Sequence, residues 1–267
     1  MGAKEWRVRL HSTPKNTIEF RVWGRFAMFS DPLTRVGGEK CSYHLPTYEA
    51  LKGIAKSIYW KPTFIWYIDR VRVMKRIRTQ TKGMKPLDYG GGNTLAIYTY
   101  LTGDPDSATR EPRVEYQVSA HFEWNPHRPE LKRDQNDGKH FEIATRSLER
   151  GGRQDVFLGT RECQGYVEPY DFGIGKGDLD DVGELQYGLM FHSFDYPDET
   201  GEARLASNFW CPKLVDGVLT FPRPDEIPAE HKKDIRAMGI KRFGLEENLQ
   251  YVETEAQQYA AIFGGKE

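Results

Sequence analysis

Apolar residues follow two periods along this chain. In Thr17 to Trp23 (TIEFRVW) they alternate with polar ones, the period-2 signature of a strand. After an irregular stretch from Gly24 to Leu45, Leu51, Ile54, Ala55 and Ile58 fall at i, i+3, i+4 and i+7 on one helical face. Pro46-Thr47 opens that helix, Thr47 can cap it, and Pro62 stops it by about Trp60. Phe64 to Met74 is rich in β-branched and aromatic residues and predicts a strand, with Val71 and Val73 pointing one way and Arg70 and Arg72 the other. Tyr116 to Trp124 alternates most cleanly. Its residues Tyr116, Val118, Ala120, Phe122 and Trp124 share one face, and Gln117, Ser119, His121 and Glu123 share the other. A second helix is expected over about Gly138 to Arg150, capped by Asn136 or Asp137 and ended by Gly151-Gly152. Asp155 to Val167 predicts one further strand.

The order strand, helix, strand, strand, helix, strand is the split βαβ pattern of ferredoxin-like folds, which also underlies RNA-recognition (RRM-like) domains. The expected class is therefore α+β, with a ferredoxin-like N-terminal domain over residues 1–167. Residues 76–93 carry few core candidates and predict a protruding basic loop or hairpin. Beyond Glu168 helix signals fade; short apolar runs such as Leu189 to Phe194 and Val218 to Phe221 predict a small antiparallel β domain over 168–228. A helical tail is expected over 229–267.

Length and charge narrow the function classes. The 267 residues suffice for a core that needs no staples. Mean hydropathy is -0.68 and no apolar run approaches the roughly 20 residues of a membrane span. Met1 to Asn16 is polar, without the apolar stretch of a secretory signal, so a cytoplasmic protein is expected. Cys41, Cys163 and Cys211 are odd in number and far apart, which supports neither a disulfide framework nor a zinc finger. With no HExxH or HxH cluster, neither a metal nor a cofactor is expected. The net charge of -1 hides an asymmetry. Ten Lys or Arg and one acidic residue lie between Lys52 and Lys85, whereas eight acidic residues lie between Lys176 and Glu202. The basic stretch suits a polyanion, or equally a solvated face.

Lys139-His140 falls in the first turn of the second helix, where free N–H groups and partial positive charge suit a phosphate and disfavour a protonated histidine. Base, acid and cation together are the equipment for cleaving RNA through its own 2′-OH. On pattern alone a surface histidine at a helix start explains the pair better. Tyr59, within Ser57-Ile58-Tyr59-Trp60-Lys61, lies at the rim of the first helix's apolar face. It reads as packing, or as a phenol that meets a reacting oxygen. Gly90-Gly91-Gly92 lacks the Lys-Ser/Thr ending of a P-loop, and Gly173-Ile174-Gly175-Lys176-Gly177 opens no helix, so nucleotide-binding readings are poor.

Several longer stretches resemble one family. They are Phe29-Ser30-Asp31-Pro32-Leu33-Thr34, Gly37-Gly38-Glu39-Lys40, Pro46-Thr47-Tyr48-Glu49-Ala50-Leu51-Lys52-Gly53-Ile54, Ser57-Ile58-Tyr59-Trp60-Lys61-Pro62, Tyr89-Gly90-Gly91-Gly92-Asn93-Thr94 and Phe157-Leu158-Gly159-Thr160-Arg161-Glu162-Cys163. The family is the fifth CRISPR-associated (Cas) protein of subtype I-C, a RAMP-superfamily ribonuclease, and the resemblance runs from about Ile18 to about Pro224. It implies a metal-independent endoribonuclease that cuts CRISPR precursor RNA at the base of the repeat hairpin. It further implies that the protein then holds the 5′ handle among the other subunits of the Cascade surveillance complex.

The resemblance also implies a catalytic set: Tyr59, Lys139 and His140. His140 would be general base or acid, Lys139 the stabiliser of the phosphorane, and Tyr59 the partner acid/base or the group orienting the 2′-OH. The ends would be a 5′-hydroxyl and a 2′,3′-cyclic phosphate. Arg70, Arg72, Lys75, Arg76, Arg78 and Lys82 are the expected contacts to the RNA backbone. Competing readings are a non-catalytic Cascade subunit that caps the 5′ handle, and a general RNA-binding module stacking bases on Tyr116, Phe122 and Trp124. A target-DNA contact through Arg76 to Lys85 is a further one.

Overall fold

The computed structural model describes residues 16–30, 39–84, 96–105 and 112–240. Strand β1 (Thr17–Gly24) buries Ile18, Phe20 and Val22, as its alternation requires. Helix α1 (Tyr48–Ile58) starts where Thr47 accepts a hydrogen bond from the N–H of Ala50 and lays Leu51, Ile54, Ala55 and Ile58 into the core. Strands β2 (Phe64–Val73), β3 (Arg78–Met84), β4 (Ala96–Thr102) and β5 (Val114–Trp124) follow. Helix α2 (Asp137–Glu149) is capped by Asn136, whose side chain accepts from the N–H of Lys139 at 3.0 Å, and buries Phe141, Ala144 and Leu148. Then come β6 (Val156–Phe157), β7 (Gln164–Pro169), β8 (Glu184–Gln186), β9 (Met190–Asp195), the short α3 (Pro197–Thr200), β10 (Arg204–Trp210), β11 (Lys213–Val215), β12 (Val218–Thr220) and β13 (Lys232–Ala237).

The protein is thus mixed α/β, mostly strands with few helices. One eight-stranded antiparallel sheet runs in the order β6-β7-β1-β5-β2-β12-β11-β8, with α1 and α2 against it. A second sheet, β13-β10-β9, and the hairpin β3-β4 stand apart from it. The sequence after Glu168 therefore divides between two places: β8, β11 and β12 extend the large sheet through the pairing of β12 with β2, while β9 and β10 form the smaller one.

The large sheet is covered on both faces at its centre. In β5 the apolar side meets the helices, yet Gln117 and Ser119 on the other side are buried as well. The segment from Phe172 to Asp180 folds over them. Gln117 accepts from the N–H of Gly173 at 2.8 Å and donates to the carbonyl of Ile174 at 2.5 Å. Arg72 is drawn into the same layer. Its guanidinium donates to both Asp180 carboxylate oxygens, at 3.0 and 2.6 Å, and to the carbonyl of Gly175 at 3.0 Å. With its donors committed and its side chain buried, Arg72 is a structural ion pair, which corrects its expected place among the RNA contacts.

Three local expectations change. The single strand over 155–167 is two, β6 and β7, because the chain turns at Gly159. There φ is +94° and a Cβ would sit 1.9 Å from the carbonyl oxygen of Met28. The hairpin alternative for 76–93 holds for residues 78–84, whose register runs from Arg78 opposite Thr102 to Met84 opposite Ala96; Gly90, Gly91 and Gly92 lie outside the described residues. At the start of the tail Lys232–Ala237 is a strand, not a helix. It is largely exposed, and backbone pairing with β10, rather than an apolar face, sets its conformation. Residues 241–267 also lie outside the described residues. No helix among the described residues is long and apolar enough to cross a membrane.

Candidate active site

The site is built where the C-terminus of α1, the start of β2, the end of β5 and the N-terminus of α2 meet. Tyr59 is the C-cap of α1; its N–H donates to the carbonyl of Ala55 at 3.1 Å and its own carbonyl accepts from Trp66 Nε1 at 2.7 Å. These two bonds fix the backbone from which the phenol projects. It points at the first turn of α2, where the Tyr59 hydroxyl lies 2.8 Å from Nδ1 of His140. The imidazole is boxed by Phe64, Trp124 and Tyr59, with ring centroids 5.4, 5.6 and 5.9 Å away.

The tautomer follows from one bond. Nε2 of His140 is 2.8 Å from the carbonyl oxygen of Asp134, at the end of the 3-10 turn Pro129–Asp134. A carbonyl can only accept, so Nε2 carries the proton and Nδ1 of the neutral ring accepts from the Tyr59 hydroxyl. The Asp134 carboxylate completes the set. Oδ2 accepts from the Thr63 hydroxyl at 2.9 Å and lies 3.4 Å from Nε2, and Oδ1 pairs with the Lys139 ammonium. That hydrogen bond from Lys139 holds the Asp134 carboxyl below its ordinary range, with Thr63 and His140 acting in the same direction against desolvation.

Burial separates the two neighbours on α2. His140 is 0% exposed and Tyr59 1%, whereas half of the Lys139 side chain meets solvent. The sequence places both in one helix turn; the fold turns the histidine inward and the lysine outward. Over the Tyr59 ring lies Arg153, its guanidinium carbon 4.7 Å from the centroid. Arg153 is exposed, and is held by its N–H on the carbonyl of Ser57 at 3.0 Å and its Nε on the Ser147 hydroxyl at 3.2 Å. Burial pushes the Tyr59 phenol above its ordinary value, the Arg153 charge pulls it back, and Asp134 adds to the rise.

Thus Tyr59, His140 and Lys139 do assemble, joined by three residues that the sequence did not single out: Asp134, Thr63 and Arg153. Asp134 stands just ahead of the Asn136 cap, the available signal for it. Arg153 follows the Gly151-Gly152 helix stop, a place from which a side chain can fold back over the helix it has just left. Chemically, the arrangement is a proton path from phenol to imidazole, closed at its far end by a carbonyl and a carboxylate, with two exposed cations at its rim.

The expected RNA-contact residues do not join this cluster. Arg70 lies on the ring of Phe172 at 4.1 Å, with Glu19 at 3.8 Å. Lys75 is half-buried and Arg76 exposed. On β3, Arg78 pairs with Asp104 at 2.6 Å, and the Lys82 ammonium lies over Phe26 at 3.9 Å and Tyr100 at 5.3 Å. Among the described residues no group of three or more His, Cys, Asp or Glu could hold a metal ion.

Comparison with known proteins gives this geometry a context. The family model described as CRISPR-associated protein (Cas_Cas5) matches residues 17–222. A protein of Thermus thermophilus named CRISPR pre-crRNA endoribonuclease Cas5d is 30% identical over 183 residues, covering 65% of this chain and 73% of its own length. A protein of the same name from Mannheimia succiniciproducens is 28% identical over 225 residues, 78% of this chain and 95% of its own. Two crystal structures share the fold. One, described as a CRISPR-associated protein, has TM-score 0.64 at 33% identity over 79% of this chain and 94% of that one. The other, a functionally uncharacterized protein from Streptococcus mutans, has TM-score 0.62 at 34% identity with the same coverage.

Proposed function

The chain belongs to the Cas5 family of CRISPR-associated proteins, subtype I-C, and from that premise we propose that it processes CRISPR precursor RNA by a metal-independent cut at the base of the repeat hairpin. The observation that carries the chemistry is the bonded series Tyr59, His140, Asp134, with Lys139 at its edge. The 2′-oxygen attacks the adjacent phosphorus, the 2′-O–P bond forms, and the P–O5′ bond breaks, leaving a 2′,3′-cyclic phosphate and a 5′-hydroxyl. His140 and Tyr59 are both enclosed, and His140 works through Tyr59 once Arg153 has moved off the phenol ring: the phenol oxygen takes the 2′-OH proton while passing its own to Nδ1. The imidazolium so formed faces the Asp134 carboxylate, which stabilises it. Lys139 turns its charge to the phosphorane and supplies the proton to the leaving 5′-oxygen. RNA reaches the phenol once the exposed Arg153 leaves its ring for the phosphate.

The succession β1, α1, β2, β5, α2, β7 and the sheet order β7-β1-β5-β2 support a ferredoxin-like, RRM-like unit over residues 1–167. Residues 168–228 add the antiparallel β part, and the role of 229–267 is taken to lie outside the catalytic unit. After cutting, the protein keeps the 5′ handle in the cytoplasm and joins the Cascade subunits of its subtype, with target DNA a further partner at the basic hairpin. Arg70, Lys75, Arg76, Arg78 and Lys82 are the proposed backbone contacts; Arg72 is not.

One observation favours a second reading. His140 is fully buried and fully hydrogen-bonded, as a packing histidine would be, which suits a non-catalytic subunit that only caps the handle. Cleavage of hairpin repeat RNA in EDTA separates the two, using wild type, a His140→Ala variant and a substrate with a 2′-deoxy nucleotide at the scissile position. A single cut at the hairpin base, lost with His140→Ala and with the 2′-deoxy substrate, is expected. Tight binding without a cut by the wild type would establish the handle-binding subunit instead, and a cut that survives the 2′-deoxy substitution would overturn the 2′-OH mechanism.

A further inference from the structure

Away from the Tyr59 cluster, the outer face of β1 and β7 carries an aromatic pair that the cut does not use. Trp23 and Tyr166 stand directly opposite each other in the β1–β7 register, with ring centroids 5.9 Å apart and planes tilted by 34°. Tyr166 is 54% exposed, the second ring of a cross-strand pair left open to solvent. The pair forms one wall of a cleft of about 410 Å³, whose other walls are Phe26, Arg25, Pro112 and Arg113. Its floor is backbone: a Cβ at Gly24 would meet the carbonyl oxygen of Gln164 at 2.6 Å, so the two strands lie as close as glycine allows.

The charges around the cleft are placed for an anion with a flat group attached. The Trp23 ring already carries the Arg113 guanidinium at 4.7 Å and that of Arg21 at 5.2 Å, so Tyr166 is the ring of the pair left open, and Arg25 reaches over Phe26 at 5.4 Å with its side chain in solvent. Arg113 pairs with Glu115 at 3.1 Å, Arg21 bridges Glu115 and Glu168, and Glu162 has the Lys40 ammonium at 3.7 Å, which leaves the solvent-exposed Arg25 as the surplus positive charge at the mouth. Aromatic faces take bases of any sequence, and arginines beside them take the phosphates that follow.

We propose that the exposed ring of Tyr166, backed by Trp23, is a stacking platform for an unpaired nucleotide of the bound RNA, whose phosphate meets Arg25. The proposal rests on the RNA-processing reading and adds a subsite to it. The platform is remote from the cut. The N-terminal end of β1 borders β5 near Phe122, beside the His140 box, and Trp23 lies six residues further on, roughly 20 Å along the strand. It also faces away from the helices, since Ile18, Phe20 and Val22 take the helix side. A base that reaches it must come from a single-stranded stretch that leaves the hairpin and rounds the β6–β7 edge of the sheet. A duplex is too stiff for that path.

Binding of two RNAs tests this: the repeat hairpin with its single-stranded flank, and the same hairpin trimmed of it. Tyr166→Ala is expected to weaken the flanked RNA roughly tenfold, the scale of one base–aromatic stack, and to leave the trimmed hairpin unchanged. Tyr166→Phe keeps the ring and is expected to bind both as the wild type does. Placing 2-aminopurine at successive flank positions should find one position whose fluorescence is quenched by the wild type and not by Tyr166→Ala. If the wild type cuts the hairpin and Tyr166→Ala binds both RNAs as well as it does, or loses equally for both, the platform is wrong and the processing role stands. If the wild type neither binds nor cuts either RNA, both fall together.

Discussion

The Tyr59 hydroxyl donates to Nδ1 of His140 across 2.8 Å, and the direction of that bond is dictated from the far side of the ring, where Nε2 must give its proton to the Asp134 carbonyl. The phenol, buried beneath the exposed Arg153, is therefore the donor end of the path and the imidazole its reservoir. Tyr59→Phe removes the phenol oxygen and keeps the ring. Single-turnover cleavage is expected to slow by roughly 10²–10⁴-fold, the scale of general acid–base catalysis, with RNA affinity unchanged. The stranded Nδ1 should cost about 1–3 kcal/mol of stability, read as a lower Tm. A variant that cuts at the wild-type rate would return the pair to packing.

Arg70 and Arg72 are two residues apart on β2 and have opposite fates. Arg70 has 47% of its side chain in solvent, while Arg72 is locked to Asp180. Replacing Arg70 and the exposed Arg76 by glutamine should flatten the plot of log affinity against log salt by about 1–2 in slope, the effect of one or two lost phosphate contacts. Arg72→Gln should leave that slope alone and lower Tm instead, by roughly 3 kcal/mol equivalent, because it strands Asp180 against a buried layer. An unchanged slope in the double variant would remove these side chains from the RNA path.

Acid should loosen the β9 region first. His192 stacks on Tyr48 with centroids 4.5 Å apart and meets the edges of Trp210 and Phe221; burial pushes its imidazole down to about 3. The unfolded chain takes up that proton near the ordinary value of about 6.5 while the folded one does not. The stability from the neutral ring is therefore complete above about 6.5 and drains away as pH falls toward about 3. His121, raised by its hydrogen bond to Asp69, acts with the opposite sign, but equally in wild type and a His192→Phe variant. The Tm advantage of wild type over His192→Phe should thus shrink steadily on acidification through this window. A constant difference would show that His192 does not titrate between the two states.

Local period carried the sequence reading far. The alternation of Ile18, Phe20 and Val22, the helical spacing of Leu51 to Ile58 and the Thr47 and Asn136 caps all describe interactions within a few residues, and they form as expected. What escaped depends on distant segments. The second buried face of β5 exists because residues 172–180 fold over Gln117, and no pattern within β5 announces that cover. Gly159 splits a strand because Met28 approaches it from the other end of the chain. At the site, the helix start at Asn136 was legible, but not that Phe64, Trp124 and Tyr59 would enclose His140 while Lys139 stayed in water. The family resemblance supplied the three residues; only the fold supplied Asp134, Thr63 and Arg153.

The pairing of β2 with β12 also bears on how the chain is made. One edge of β2 is closed by β5, but the other is closed only by Val218–Thr220, which leave the ribosome long after Phe64–Val73. Until they arrive, the C-terminal half of that strand, Asp69 to Val73, presents an open row of backbone donors and acceptors, a template for pairing with another nascent chain. Arg70 and Arg72, whatever they later contact, place two like charges on that edge during the wait, and charge of one sign is what keeps neighbouring edges apart.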